Sequence, residues 1–176
     1  DRGLIRGNNE DSGYAGSHLL ILADGMGGHA AGEVASQLMV NHLEILDQDP
    51  GKEDTEALLA AAADDANEAI SEHVTAHPET EGMGTTLSTM LFNGTTFGVC
   101  HVGDSRAYLL RDGKLEQITK DDTYVQSLVD KGELNQDDVP SHPQKSLILK
   151  AYTGRPVEAT LFTLDAKPGD RILLCS

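Results

Sequence analysis

Two rhythms of apolar and polar residues divide this chain of 176 residues. Residues 19–23 (Leu-Leu-Ile-Leu-Ala) form a short unbroken apolar run, which predicts a buried strand. The run stops at Asp24, ahead of a glycine-rich turn at Gly25, Gly27 and Gly28. A helical rhythm follows. From Ala31 to Leu46, Val34, Leu38 and Ile45 recur at helical spacing, as do Ala35, Met39, Leu43 and Leu46. From Thr55 to Val74, the residues Leu58, Ala62, Ala66, Ile70 and Val74 make an i, i+4 stripe. After Thr85 the period becomes strand-like. Residues 85–92 and 96–102 flank Asn93-Gly94, and residues 106–110 and 114–118 flank Asp112-Gly113, which predicts two hairpins with two-residue turns. Residues 122–131 predict a short helix stopped by Gly132, and a polar stretch with Asn135, Pro140 and Pro143 follows, so 121–151 reads as an insertion. Strand patterning resumes at 157–164 and again at 171–175. Helices ahead of hairpin-linked strands predict one α+β domain over 1–176, with antiparallel sheets.

Composition narrows the picture. Aromatic residues are only 4% and Trp is absent, so the core must be built from Leu, Ile, Val, Ala and Met. A formal net charge of −16 argues against nucleic acid as a partner, because phosphate backbones are bound by Lys and Arg. The same charge serves solubility, and some of its carboxylates are candidates for holding cations. Cys100 and Cys175 lie in apolar runs without CxxC spacing, which predicts free thiols in a reducing compartment. No run is long enough to span a bilayer and no signal peptide is present, so a soluble cytoplasmic domain is expected, with any membrane anchor supplied from outside this sequence.

Four acidic positions stand out. Glu10 and Asp11 follow Asn8-Asn9 in what reads as a polar N-terminal turn; Asp24 ends an apolar strand; Asp104 sits between Gly103 and Ser105, between two strands. Taken singly, each reads first as a cap or turn residue, and the set says more than its members. Taken together, they form an all-oxygen donor set of the kind that favours magnesium or manganese over zinc. The seven histidines show no HxxxH or HExxH spacing. Arg6, four residues before Glu10, reads as an ion-pair partner or as a bidentate anion ligand. Ser105 lacks the strand–turn–helix setting of a nucleophile, and Gly25–Gly28 lacks the Lys-Ser/Thr of a P-loop.

Four motifs, Arg6-Gly7-Asn8-Asn9-Glu10-Asp11, Ala23-Asp24-Gly25-Met26-Gly27-Gly28-His29, Gly82-Met83-Gly84-Thr85-Thr86-Leu87 and Val102-Gly103-Asp104-Ser105-Arg106, resemble those of the type 2C metal-dependent protein phosphatases in order and spacing. Within that family the chain resembles the actinobacterial membrane-anchored branch that opposes serine/threonine kinases. The resemblance implies a four-layer αββα sandwich of two antiparallel sheets flanked by helices. It implies hydrolysis of phosphoserine and phosphothreonine in proteins by a metal-activated water, with two or three Mn2+ or Mg2+ ions and no phosphoenzyme. It assigns Asp24 as the bridging metal ligand, the Gly25 carbonyl as a ligand to one ion, and Glu10 and Asp11 as holders of metal-bound waters. It assigns Asp104 to a third ion together with the Ser146 carbonyl, Arg6 to the substrate phosphate, and 121–151 to a flap. Animal members carry a His directly after Asp-Gly; Met26 stands there, which leaves His29 as the candidate general acid. Further ligands of the family pattern lie beyond Ser176, so the chain is expected to be C-terminally truncated, impaired in activity and prone to self-association. Two other classes explain part of the sequence: a non-catalytic pseudophosphatase or binding module of the same fold, and a simple acidic cation-binding protein.

Overall fold

The computed structural model describes residues 7–28 and 30–176. Two antiparallel sheets stack face to face. The larger is built on a hairpin of β1 (Asp11–Ala15) and β2 (Leu19–Met26), then β4 (Leu87–Phe92), β5 (Thr96–Val102) and β8 (Thr160–Asp165), in the order β1-β2-β4-β5-β8. A short β3 (Gly84–Thr85) pairs with the far end of β2. The smaller sheet runs β7-β6-β9, from β6 (Arg106–Arg111), β7 (Lys114–Gln117) and β9 (Arg171–Cys175).

The long helices α1 (Ala31–Leu43) and α2 (Thr55–Ala76) cover one face of the larger sheet. Leu19, Ile21 and Ala23 of β2, Leu87 and Leu91 of β4, and Cys100 and Val102 of β5 belong to one core with Met39 and Leu43 of α1 and Leu59, Ala66 and Ile70 of α2. On the opposite face, Met90 and Val99 meet Ala107 of β6 in a second core, flanked by Phe97, Phe162, Ile172 and Leu174. Because β4 and β5 are buried on both faces, their apolar positions run on without clean alternation. Each fully buried Leu or Ile contributes roughly 1.5–3 kcal/mol. Three of the four expected layers, helix–sheet–sheet, are thus carried by the described residues.

Several boundaries move. α1 stops at Leu43 and tightens into a 3-10 turn over Glu44–Leu46, whereas α2 continues past Val74 to Ala76. Asp54 caps α2, its carboxylate accepting from the N–H groups of Glu56 and Ala57. Asp112 and Gly113 both have positive φ (51° and 76°), as a two-residue hairpin turn requires. Asn93-Gly94 does not make that turn. Only Gly94 is left-handed (φ 97°), and the Asn93 carboxamide oxygen accepts from the N–H groups of Thr95 and Thr96, which widens the loop. Asp11 is the first residue of β1 rather than part of a turn. The polar sequence hides this strand, whose residues are only partly covered. Asp47 explains how the hairpin is held: its carboxylate accepts from the N–H groups of His18 and Leu19 and from the Tyr14 hydroxyl. These bonds, the His18 N–H first, keep its pKa below the ordinary carboxylate value.

Residues 121–151 leave and rejoin the fold at one place. Thr123 bridges Ile148, the Tyr124 N–H donates to the Leu147 carbonyl (2.9 Å), and the Leu149 N–H donates to the Asp122 carbonyl (2.8 Å). Between these points lie α3 (Tyr124–Asp130), capped by the Thr123 hydroxyl, and a 3-10 turn over Gln136–Ser141.

Candidate metal centre

The geometry begins with the backbone of Asp24. β2 runs on past Ala23, so Asp24 is still a strand residue and lies directly opposite Asp11 of β1. Facing residues of an antiparallel pair project to the same side with Cβ atoms about 5 Å apart, and like charges so placed repel. Asp24 is anchored on both sides of its peptide unit. Its N–H donates to the Thr86 hydroxyl (3.0 Å), and its carbonyl accepts from the Thr86 N–H (3.0 Å) and the Thr85 hydroxyl (3.2 Å). The next residue, Gly25, donates its N–H to the Glu10 carbonyl (3.1 Å). A side chain at Gly25 would run into the Gly32 carbonyl, and a Cβ at Gly32 would lie 2.5 Å from the Glu10 carboxylate, so glycine is required at both positions. The Glu10 carboxylate is oriented by the Asn8 carboxamide, which donates at 2.9 Å. The Ser36 hydroxyl of α1 donates to the Glu10 carbonyl (2.6 Å) and ties the helix to this corner.

Asp104 sits half-buried in the turn between β5 and β6. Burial raises its pKa above the usual carboxylate range, and the neighbouring Asp121 charge adds to the effect. The turn is fastened to residues 120–122. The Gly103 N–H donates to the Asp122 carboxylate (3.0 Å), the Asp122 N–H returns to the Gly103 carbonyl (2.8 Å), and Arg106 grips Asp121 through Nε (2.9 Å) and a second guanidinium nitrogen (2.7 Å).

The expected site residues divide accordingly. Asp11, Asp24, Gly25 and Glu10 come together at one end of the β1–β2 hairpin. Asp104 joins them indirectly, since Ser105 beside it shares a 2.8 Å hydrogen bond with the same Thr86 hydroxyl that receives the Asp24 N–H. Ser146 is exposed in the turn 143–146, and among the described hydrogen bonds none joins it to Asp104. Arg6 and His29 lie outside the described residues. The donor chemistry fits a hard divalent cation, because every candidate ligand offers oxygen and a cation would relieve the Asp11–Asp24 repulsion. Among the described residues, no three His, Cys, Asp or Glu side chains converge closely enough to hold a metal by themselves.

Two features were not read from the sequence. The end of β9 reaches this corner, where the Ser176 hydroxyl donates to the Asp11 carboxylate (3.0 Å). Thr86, Ser88, His101 and Ser105 form a fully buried polar group beside the site. The available signal was a run of polar residues inside strands that are otherwise apolar on both faces, since such residues must be partnered when buried.

A sequence profile described as Protein phosphatase 2C matches residues 9–176. The chain is 59% identical over all its 176 residues to the serine/threonine protein phosphatase PstP of Mycobacterium tuberculosis, and spans 34% of that protein's length, about a third. It is 36% identical to the serine/threonine phosphatase stp of Listeria monocytogenes, covering all of this chain and 74% of that protein. The crystal structure of M. tuberculosis PstP/Ppp superposes with a TM-score of 0.98 at 59% identity, over 100% of this chain and 75% of that one. The catalytic domain of PstP in complex with two manganese ions superposes with a TM-score of 0.93 at 56% identity, over 100% and 74%.

Proposed function

The chain belongs to the protein phosphatase 2C family, and from that premise we propose that it hydrolyses phosphoserine and phosphothreonine in proteins with two or three manganese or magnesium ions. The observation that carries this reading is the in-register facing of Asp11 and Asp24 beside the Gly25–Gly32 contact, an anionic corner with its backbone fixed. Asp24 would be shared between two cations, the Gly25 carbonyl would serve one of them, Glu10 and Asp11 would hold water in their shells, and Asp104 would serve a third with the Ser146 carbonyl. Bound there, the cations would supply an activated water for direct attack on phosphorus. Arg6 is assigned to the phosphate oxygens as a bidentate donor and His29 to protonation of the leaving oxygen. Residues 121–151 are assigned as a flap, supported by their closed root at 122–124 and 147–149.

The partners proposed are phosphorylated proteins, serine/threonine kinases and their substrates among them. Among the described residues, no helix is long and apolar enough to cross a membrane. The proposed location is a cytoplasmic catalytic domain held by an anchor elsewhere in the protein. Self-association belongs to the same reading. β9 is an outer strand with Leu173 53% exposed, next to a groove lined by Leu20, Leu22 and Ile172. A strictly monomeric species in sedimentation velocity would remove that part.

The test is turnover of a phosphothreonine peptide with manganese. Asp24→Asn keeps the backbone bonds of the residue but halves the paired charge, and is expected to lower kcat by about a hundredfold or more, the scale seen when a main electrostatic contact is removed. Near-normal turnover by that variant would overturn the metal assignment.

A further inference from the structure

A file of polar side chains crosses the layer between the two sheets at the end nearest Asp24. Ser88 of β4 and His101 of β5 are cross-strand partners, on the same sheet face as the core residues Met90 and Val99. Thr86 and Ser88 are 0% exposed, and His101 and Ser105 are 1% exposed. Every contact is within hydrogen-bond distance. His101 Nε2 stands 3.0 Å from the Lys120 carbonyl and Nδ1 stands 2.9 Å from the Ser88 hydroxyl. Ser88 is also 3.0 Å from the Ser105 carbonyl, and the Ser105 hydroxyl is 2.8 Å from Thr86, which accepts the Asp24 N–H.

Donor counting shows how the file depends on its members. A carbonyl can only accept, so Nε2 carries the proton that meets Lys120. Burial keeps the ring neutral, its pKa lowered, and Nδ1 is then an acceptor. Ser88 therefore stands with one proton between two acceptors, Nδ1 and the Ser105 carbonyl. Removing its hydroxyl takes away the one proton these two acceptors share in a dry layer. Apolar residues would fill this layer without such a liability, so the network needs a reason other than packing. The file supplies one by its route. It begins at Lys120, the root of the 121–151 segment, passes the Gly103–Ser105 turn that carries Asp104, and ends on the backbone of Asp24.

We propose that His101 is a positioning residue, acting through Ser88, Ser105 and Thr86 to hold the Asp104 turn against the Asp24 strand end and to join that turn to the root of the 121–151 segment. The cation-binding part of this inference rests on the phosphatase reading of Asp24 and Asp104.

The experiment compares Ser88→Ala, His101→Leu and His101→Gln in the full-length protein, with Leu59→Ala in the helix-side core as a control for lost stability. Two readouts are needed: manganese binding by calorimetry, and hydrogen exchange of the amides at 103–105 and 120–124. Ser88→Ala and His101→Leu are expected to weaken binding of at least one manganese ion by about tenfold or more, the size typical of losing a group that orients a ligand. They are expected to speed exchange at both segments together. His101→Gln, which keeps an N–H for the Lys120 carbonyl, should recover part of each effect. Leu59→Ala should lower Tm and leave manganese affinity unchanged. Unchanged affinity in Ser88→Ala and in His101→Leu, or an equal loss in Leu59→Ala, would overturn the proposal. If the unmodified protein binds no manganese, the phosphatase reading fails separately. Exchange then decides the positioning role alone, and unaltered exchange at 103–105 and 120–124 in Ser88→Ala refutes it.

Discussion

Adding one methyl group at Gly103 tests the corner beside Asp24 most directly. Gly103 has φ 106°, and an added Cβ would lie 2.6 Å from Cγ2 and 2.7 Å from Cβ of the fully buried Thr86. Two costs follow for Gly103→Ala. Holding a non-glycine residue in this backbone region costs about 1–3 kcal/mol. Forcing a methyl into a filled space adds about 1–3 kcal/mol, because Thr86 cannot withdraw without releasing the Asp24 N–H and Ser105. The expected loss is therefore about 2–6 kcal/mol, which for a domain of this size lowers Tm by roughly 4–24 °C. Gly94→Ala separates the two costs, since Gly94 has φ 97° but an added Cβ there meets nothing within 4 Å. It should lose the strain alone. Thr86→Ser in the Gly103→Ala background removes Cγ2 while keeping the hydroxyl, and should relieve part of the clash and recover part of the lost stability. Thermal melts of the four proteins give the answer. If Gly103→Ala melts no lower than Gly94→Ala, the contact with Thr86 is wrong, and with it the placement of the turn that carries Asp104.

Two further outcomes are expected. Arg111 donates to Asp170 at 2.8 and 2.6 Å and lowers the Asp170 pKa to about 2. Stability from this pair is fully present above the ordinary Asp pKa of about 3.9 and is lost as pH falls towards about 2. Asp170→Asn should therefore melt lower than the unmodified protein at pH 7, with the gap closing between about pH 4 and pH 2; a gap independent of pH would refute the pairing. Burial pushes the Cys100 thiol up to about 12, whereas Cys175 is partly exposed, so iodoacetamide at pH 8 should label Cys175 and spare Cys100, as read by mass spectrometry; equal labelling would contradict the β5–helix packing.

How far the fold was legible follows from where each residue's free energy is decided. The α1 and α2 stripes were largely readable because Met39, Leu43, Ala66 and Ile70 are buried against the sheet and the neighbouring helix at a period set by the helix itself. Ile45, counted in the α1 stripe, instead falls in the 3-10 turn after α1 and is exposed. The Asp112-Gly113 turn was readable because its chemistry is local. β1 was not, since Asp11–Ala15 is held from outside its own sequence, by pairing with β2 and by Asp47 on the loop after α1, which receives Tyr14 and the start of β2. Asn93-Gly94 failed for a related reason: the Asn93 side chain offered the backbone an alternative partner, and the loop widened to use it.

The site divides along the same line. Asp24 and Asp104 could be singled out as carboxylates at the ends of apolar strands, where burial demands a partner whatever the partner is. Which partner is a property of register. A shift of one residue between β1 and β2 would turn Asp11 to the opposite face from Asp24 and dissolve the paired charge. That register is fixed by residues with no chemistry to announce them. Leu19, Ile21 and Ala23 must face the helices, the Ser36 hydroxyl must reach the Glu10 carbonyl, and Gly25 and Gly32 must touch. The acids mark the site, while the glycines, the buried threonine and serines and one dry histidine decide whether the acids meet. Such positions look like ordinary core or turn residues until the strands are paired.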